Sequence, residues 1–470
     1  MSPLGPAGGR LSATSPAATP RGSFHFHLHD GDGDGDGGGG GGGDEPPRAV
    51  SPSSSINFTS PRVSTVRRSQ SGRTSLHFSV ADVVTTDVLY TTSVSQLCLA
   101  SHVPRLSAAT GGGGGGRVSS ASDDLEGCHV AEEQDDTPPP PRIITVKQYS
   151  LALASAAGPG MQAAVMRERR VMKSLSPMPF IPANLGWARD DKFLTVVINT
   201  NALCTLDNLI SSGGGPLSDH ASVRYYAASM ALALEHLHMC GVVYRGVFPE
   251  TLLIDEDGRI QVTDFRLCKH VDGRTYTMCG APEYIAPEVV GCVGHNQAAD
   301  WWSLGVLVYY LHTGNTPFAK PRGTPATPPT TTTTTDPATN VGRTLRPRVS
   351  AQEVEDEKAI FRRITDMDYT FPDEVPELSR SLITELLVED PNQRLGYGAG
   401  GPGRLRSHRF FEGVDWDALI SVDDSTSIAA HDALVPPDLV ERMTTLTPTA
   451  VEPLRGAQPY VGDTEWFKDF

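Results

Sequence analysis

Four short motifs follow one another in the segment between residues 244 and 305. In chain order they occupy Tyr244–Thr251, Val262–Arg266, Ala286–Glu288 and Asp300–Gly305. One motif of this length arises by chance in many chains, whereas several in a set order support one another. We therefore interpret this segment as part of one folded unit that the rest of the chain must accommodate.

Glycine and proline are unevenly distributed along the chain. The 47 glycines and 37 prolines of the 470 residues exceed the usual combined share of about 12%, and they concentrate in the N-terminal third and near residues 319–350. Segments of this composition bury too little apolar surface to offset the entropy lost on ordering. We expect a disordered low-complexity arm at 1–75 and a flexible insertion at 319–350.

Charge, cysteine content and hydropathy restrict the class of protein. A formal net charge of −16 argues against nonspecific binding to nucleic acid or anionic membranes, which requires clustered Lys and Arg. The seven cysteines include no Cys-x-x-Cys pair, so we expect reduced thiols. The longest apolar run, Leu304–Leu311, is too short to span a bilayer. We predict a soluble, cytoplasmic chain without a membrane span.

The motifs resemble the catalytic loop, the Asp-Phe-Gly segment, the Ala-Pro-Glu element and the Asp-Trp-Trp helix of AGC serine/threonine protein kinases, especially the cyclic-nucleotide-dependent ones. The resemblance implies an α+β, bilobal protein-kinase fold, with a small β-rich N-lobe, a large mainly helical C-lobe and an AGC C-terminal tail. The kinase domain then covers 142–411 and the tail covers 412–470. Residues 76–141 form a degenerate start of the N-lobe, with strand-like clusters such as Val88–Tyr90.

A lysine and a glutamate are the first candidate site residues. Ile143–Lys147 has the period-two alternation of a strand, and Lys147 resembles the kinase lysine that contacts the α- and β-phosphates. Glu168 shares a helical face with the apolar Val165 and Met172, and a carboxylate there needs a partner. We predict that Lys147 is this partner. A solvated Glu168 among neighbouring arginines is the open alternative.

A run of six glycines lies where the family has its glycine-rich loop, whose backbone N–H groups approach phosphates closely. A low-complexity run is the open alternative, because polyglycine meets the spacing trivially. ATP is the cofactor that the resemblance implies. The nucleotide-binding residues implied in the same way are Lys147, Glu168, Asp264, Gly111, Gly113 and Gly116.

Three positions of the catalytic loop carry residues that cannot perform the family's chemistry. Gly246 stands where the resemblance implies the aspartate base, Phe248 where a lysine meets the transferred phosphate, and Thr251 where an asparagine holds Mg²⁺. Loss of a general base alone costs about 10² to 10⁴ in rate. We therefore predict no catalytic residue.

Further substitutions surround this loop. Arg266 replaces the glycine of Asp-Phe-Gly, next to Asp264, which resembles a metal ligand; whether Mg²⁺ binds there is left open. Ala281 replaces a threonine that in the family contacts the catalytic aspartate and lysine. Cys204 stands where the family places a glutamate for the ribose hydroxyls. These losses are typical of one dismantled network.

Other implied features concern regulation and folding. The resemblance implies a phosphorylation site at Thr277, with Arg245 and Lys269 placed to bind the phosphate; residual ancestry without present use is the open alternative. It also implies a buried structural pair between Glu288 and Arg394.

The chain's last residues resemble the Phe-x-x-Phe hydrophobic motif of the family. The resemblance implies that Phe467 and Phe470 fold back onto the chain's own small lobe. Upstream of the catalytic loop, a helix is predicted from Ser218 to His238, with Ser218 as its N-cap.

Three functions remain open. Intact structural motifs beside coordinated losses favour a pseudokinase that acts as a scaffold or allosteric regulator on protein partners in kinase signalling. A weak but genuine ATP-dependent serine/threonine kinase is the first alternative. An ATP-binding sensor without phosphotransfer is the second. No cyclic-nucleotide-binding domain is recognised in the sequence.

Overall fold

The computed structural model of the chain covers its small lobe, most of its large lobe and part of its C-terminal tail. The residues it describes are 83–102, 142–176, 178–212, 215–217, 219–319, 351–420, 439, 459–468 and 470. The predicted arm at 1–75 and nearly all of the predicted insertion at 319–350 lie outside these ranges. Among the described helices, none has the length and apolar character needed to span a membrane.

A five-stranded antiparallel sheet forms the small lobe, in the order β1-β2-β3-β5-β4. Lys147 lies on the central strand, opposite Leu97 on one side and Val196 on the other. The alternation predicted for this strand places Ile144 and Val146 in a buried cluster on one face. The strands are β1 (Val83–Thr91), β2 (Ser95–His102), β3 (Arg142–Ser150), β4 (Asn184–Arg189) and β5 (Phe193–Ile198).

Two helices, α1 (Leu151–Ala156) and α2 (Pro159–Ser174), pack on this sheet. Ser150 caps α1 by accepting a hydrogen bond from the Leu153 N–H. Gly158 precedes α2 with a φ of 95°, a left-handed conformation that glycine adopts without strain, and Pro159 fits the first helical position. The buried face of α2 includes Glu168.

The first hairpin of the sheet lies before the polyglycine run. The connection between β1 and β2 is the stretch 92–94, which contains no glycine. The predicted nucleotide-binding residues Gly111, Gly113 and Gly116 come after β2 in the chain and lie outside the described residues. The β-branched residues of Val83–Thr91 favour the strand that precedes the turn.

Helices dominate the large lobe. They are α3 (Leu206–Ser212), α4 (His220–Met239), α5 (Pro287–Val290), α6 (Ala298–Thr313), α7 (Ala351–Thr365), α8 (Glu377–Leu386), α9 (Gly401–Arg406) and α10 (Trp416–Ile420). Short strands complete it: β6 (Ala202–Thr205), β7 (Val242–Val243), β8 (Leu252–Asp255), β9 (Ile260–Val262) and β10 (Lys269–His270). The α+β, two-lobed fold predicted from the resemblance is confirmed.

Helix α4 begins one residue later than predicted. Its N-cap is Asp219, whose carboxylate accepts hydrogen bonds from the N–H groups of Ala221 and Ser222 at 3.1 and 3.0 Å. Ser218 itself lies outside the described residues. Both residue types suit an N-cap, and the side chain that reaches two exposed amides decides between them.

The core of the large lobe forms around α6, which is buried on nearly all sides. Gly305 allows α8 to approach closely, because a Cβ at this position would lie 2.9 Å from that of Leu386. The structure brings Glu288 and Arg394 together: two guanidinium nitrogens donate to the two carboxylate oxygens at 2.7 and 2.9 Å. This buried pair joins the start of α5 to the loop after α8.

Candidate active site

Lys147 and Glu168 meet in the buried space between β3 and α2. The lysine Nζ lies 2.7 Å from the glutamate Oε1, and only 1% of Glu168 is exposed. The Phe265 N–H donates to the same oxygen at 3.1 Å, and the Tyr149 hydroxyl donates to the other oxygen. Three donors satisfy the buried carboxylate, so the structure excludes a solvated Glu168.

Tyr149 acts only as a donor in this arrangement. Burial raises the pKa of its phenol well above the ordinary value, and the neighbouring Glu168 carboxylate raises it further. Tyr149 was not among the site residues predicted from the sequence. The signal was available, because Tyr149 follows Lys147 by two positions and therefore shares its face of the strand.

Asp264 is held by two cations. Lys147 Nζ lies 3.1 Å from its Oδ1, and Arg266 donates from Nε to both carboxylate oxygens at 3.0 and 3.2 Å and from Nη2 at 2.6 Å. Burial acts to raise the pKa of Asp264, but Arg266 and Lys147 outweigh it and hold this pKa well below the usual range. Arg266 is only 3% exposed.

The side-chain oxygens of Asp264 and Thr251 do not fit Mg²⁺, which requires a near-octahedral set of oxygens. The lone pairs of Asp264 already accept hydrogen bonds from Arg266. The Thr251 hydroxyl is directed at the backbone, where it donates to the Gly246 and Phe248 carbonyls at 2.9 and 3.0 Å. Within the described parts of the chain, no group of three His, Cys, Asp or Glu side chains could hold a metal ion.

An apolar side chain fills the position of the family's catalytic-loop lysine. Phe248 is buried, its ring centroid lies 6.0 Å from that of Tyr284, and Ala281 lines the same pocket. Gly246 leaves the base position without a side chain. A Cβ there would come within 3.2 Å of the Tyr244 ring, so a larger residue requires this ring to shift.

The backbone frame of the catalytic loop is nevertheless in place. Asp300 accepts hydrogen bonds from the N–H groups of Tyr244 and Arg245 at 2.9 and 2.7 Å, and its Oδ2 lies 2.7 Å from His238 Nε2. These bonds hold Arg245 at a φ of 59°, in the left-handed region that non-glycine residues rarely adopt. Backbone bonds to Asp300 therefore fix the conformation of the loop at Tyr244 and Arg245.

Basic side chains converge near the predicted phosphorylation site. Thr277 is half-buried two residues before Cys279, and burial raises the pKa of the Cys279 thiol against the effect of Arg245, Arg167 and Lys269. Arg245 Nε donates to the Leu267 carbonyl at 2.7 Å, while its buried Nη1 has no hydrogen-bond partner among the described residues.

Arg167 is the basic residue that the sequence analysis missed. It lies on α2 directly before Glu168, and its pKa is lowered by burial and by the charge of Arg245. The helical position next to Glu168 was the available signal, but only the folded chain brings α2 close to Arg245.

Both predicted phenylalanines of the hydrophobic motif contact the small lobe. Phe467 is buried, and Phe470 meets the Trp187 ring edge-on with 5.3 Å between centroids. The Arg169 guanidinium lies 5.7 Å from each of the rings of Trp187 and Phe470, in cation–π geometry. Because Arg169 follows Glu168 on α2, the tail contacts the helix that carries the site glutamate.

Cys204 replaces the carboxylate that the family directs at ribose. It is buried on β6, and burial raises the pKa of its thiol to about 12. The side chain is therefore neutral. It offers only a weak hydrogen-bonding group at this position.

Comparison with known proteins places this geometry in a family. A model described as "Protein kinase domain" matches residues 141–411, more than half of the chain. The chain is 34% identical over 218 residues to cAMP-dependent protein kinase catalytic subunit 2 of Drosophila melanogaster, covering 45% of this chain and 52% of the relative. It is 31% identical over 255 residues to cAMP-dependent protein kinase catalytic subunit PRKX of Mus musculus, covering 54% and 61%.

A further relative is Ribosomal protein S6 kinase alpha-4 of Homo sapiens, which is 37% identical over 204 residues, covering 42% of this chain and 22% of the relative. The matches to the two cAMP-dependent kinases span little more than half of those proteins. The chain belongs to the protein kinase domain family and is homologous to the cAMP-dependent and other AGC kinases.

Proposed function

We propose that the chain is a kinase-fold regulator of protein partners, a pseudokinase that does not transfer phosphate. The bond of Arg266 to Asp264 carries this proposal, because it uses the carboxylate that a phosphoryl-transfer site needs for its metal ion. Gly246 and Phe248 support it, since neither supplies a proton acceptor or a cation to the catalytic loop.

Charge balance supports the same proposal. The site contains two cations, Lys147 and Arg266, and two carboxylates, Glu168 and Asp264, all paired with one another. Phosphoryl transfer relies on uncompensated positive charge to stabilise the developing negative charge. An internally neutral cluster offers the transferred phosphate no such charge.

The test is a phosphotransfer assay on the full chain with ATP, Mg²⁺ and a basic peptide. We expect no turnover above the rate of a Lys147→Ala control. A rate in the ordinary kinase range of about 1–100 s⁻¹, abolished by Lys147→Ala, would refute the proposal. A rate that Lys147→Ala leaves unchanged comes from a contaminant, and repeating the assay after further purification then decides the question.

A second candidate, a weak ATP-dependent serine/threonine kinase, is favoured by one observation. Lys147 and Glu168 are 2.7 Å apart, and the Phe265 N–H donates to the same glutamate oxygen. This arrangement would suit a lysine that positions phosphates. A slow rate that disappears in both Lys147→Ala and Asp264→Asn would select this candidate over the first.

Regulation by phosphorylation belongs to the first candidate. We propose that a phosphate on Thr277 pairs with Arg245, Lys269 and Arg167, and thereby fixes the surface that a protein partner in cytoplasmic kinase signalling contacts. The unpartnered Arg245 Nη1 supports this. Phosphorylated chain should melt several degrees higher than unphosphorylated chain, and an Arg245→Gln variant should lose the difference.

A further inference from the structure

The backbone amide groups in the turn of the first hairpin donate hydrogen bonds within the turn itself. The N–H groups of Val94 and Ser95 donate to the Thr92 hydroxyl oxygen at 3.3 and 2.9 Å, and the Thr92 N–H donates to the Ser95 carbonyl at 2.7 Å. A loop that binds phosphate must leave such amides free to point at the ligand. In this chain a threonine side chain takes the place of the ligand.

The joining segment, residues 198–202, connects β5 of the small lobe to β6 of the large lobe, and its backbone groups also bond within the protein. The Thr200 N–H donates to the Ile198 carbonyl at 2.9 Å. The fully buried Thr145 hydroxyl, on β3, donates to the Thr200 carbonyl at 2.9 Å and accepts from the Ala202 N–H at 3.2 Å. A purine base is recognised by backbone donors and acceptors of this kind, and each of these four groups already has a protein partner.

Apolar side chains of the two lobes meet directly beside the joining segment. Leu97 of β2 forms one cluster with Ala202 and Leu253 of the large lobe, and Leu89 and Tyr90 of β1 pack against it. The cluster therefore extends from the small-lobe sheet to β8. A nucleotide base would have to separate these side chains and expose them.

Tyr90 extends from this cluster towards the charged site. Burial raises the pKa of its phenol to about 12; Arg266 opposes the rise, while Glu250 and Asp264 add to it. The effect of Arg266 and Asp264 on this pKa indicates that the ring lies on the side of the cluster that faces the ion pairs.

We infer that the small lobe supplies its own occupant for the nucleotide cleft. Leu89, Tyr90 and Thr145 take the place of a nucleotide, and they hold the Lys147–Glu168 arrangement in the free chain. The inference deepens the proposed non-catalytic function, on which it rests. Its consequence is that α2 stays docked, and presents its contact with the C-terminal tail, whether or not nucleotide is present.

Calorimetric titration of the full chain with adenosine and with ATP, with and without Mg²⁺, tests the inference. We expect any binding by the wild type to be weaker than about 1 mM. A Tyr90→Gly/Thr145→Ala variant opens the cluster and frees the Thr200 carbonyl and the Ala202 N–H of the joining segment. It should bind adenosine at least about tenfold more tightly than the wild type. A matched control, Tyr276→Gly/Thr365→Ala, changes the same residue types at exposed positions and should behave as the wild type.

Two results would overturn the inference: micromolar binding of adenosine by the wild type, or an opened variant that folds but does not bind. Because adenosine has no phosphoryl group to transfer, its binding tests the occupied cleft separately from catalysis. If the wild type binds adenosine but transfers no phosphate from ATP, this inference fails and the proposed function stands. If the opened variant does not fold, hydrogen exchange on the wild type decides. The amides of Val94, Ser95, Thr200 and Ala202 should be protected equally with and without millimolar ATP; protection that appears only with ATP contradicts the inference.

Discussion

At the residue scale, the proposed absence of phosphoryl transfer rests on single side chains of the site. Arg266 occupies Asp264, Thr251 turns its hydroxyl to the backbone, and Phe248 replaces a cation by a buried ring. Each change removes a group that phosphoryl transfer uses and leaves a side chain that is satisfied or packed. The side chains at these positions are therefore held by hydrogen bonds or by packing within the folded loop.

The first prediction at this scale concerns the buried partner of Asp264. Breaking a buried ion pair typically costs about 3–5 kcal/mol. Arg266→Leu should fall near the lower end, about 3 kcal/mol, because Lys147 remains 3.1 Å from the carboxylate. Urea denaturation measures the loss. Arg274→Leu, at an exposed arginine, should stay within about 0.5 kcal/mol of the wild type, and an equal loss in both variants would contradict the role of Arg266.

The second prediction concerns two buried imidazoles. Burial, with Arg245 for His295 and His220 for His312, lowers both pKa values to about 4. The unfolded chain takes up these protons near pH 6.5, whereas the folded chain takes them up only near pH 4. The unfolding free energy therefore has its full value above pH 6.5. It decreases as the pH falls from 6.5 to 4, by up to about 3 kcal/mol for each histidine. Between pH 7.5 and 5, the unfolding free energy of His295→Gln/His312→Gln should change less than that of the wild type; equal slopes would disprove the assignment.

At the scale of elements, α2 connects the site to the C-terminal tail. It carries Glu168 on its buried face, Arg167 towards Arg245, and Arg169 against the rings of Trp187 and Phe470. Three consecutive side chains thus reach the ion-pair cluster, Arg245 of the catalytic loop and the hydrophobic motif. We expect a change at one of these places to affect the other two through α2.

A prediction on the tail follows from this arrangement. Phe467→Ala removes a buried ring and its cation–π contact with Arg189, so α2 should open more readily. Hydrogen exchange of the α2 amides should accelerate about tenfold or more, corresponding to about 1.4 kcal/mol of lost protection. The control is Val461→Ala, at a residue that is 96% exposed, and it should leave the exchange unchanged. Unaltered α2 exchange in Phe467→Ala would show that the tail does not support the helix.

At the scale of the whole molecule, the described residues form a kinase fold whose two lobes contact each other and whose tail contacts the small lobe. Both lobes meet through the cluster of Leu97, Ala202 and Leu253, and the tail covers α2 from outside. The frame around Asp300 and the pair of Glu288 with Arg394 hold the loops of the large lobe together. Under the proposed function, the fold keeps these shape-determining contacts and dispenses with those that serve phosphoryl transfer.

The sequence predicted the parts of this account that depend on local pattern. The apolar face around Glu168 required a cation, and the motif order required two lobes. The first hairpin has no motif of its own, because its turn at 92–94 contains no glycine, whereas the polyglycine run meets the spacing of a phosphate loop trivially. Thr145 resembled an ordinary strand residue, because its bond to Thr200 of the joining segment spans 55 residues of sequence. Long-range pairing of this kind leaves no periodic signal in the sequence.

The most direct test of the central claim is a single-turnover measurement of ATP consumption, with the chain in excess over ATP. A variant that restores the family's groups accompanies the wild type: Gly246→Asp, Phe248→Lys, Thr251→Asn, Arg266→Gly and Ala281→Thr. We predict that the wild type consumes ATP no faster than buffer. Consumption by the wild type at a rate that Lys147→Ala abolishes would contradict the claim, whatever the restored variant does.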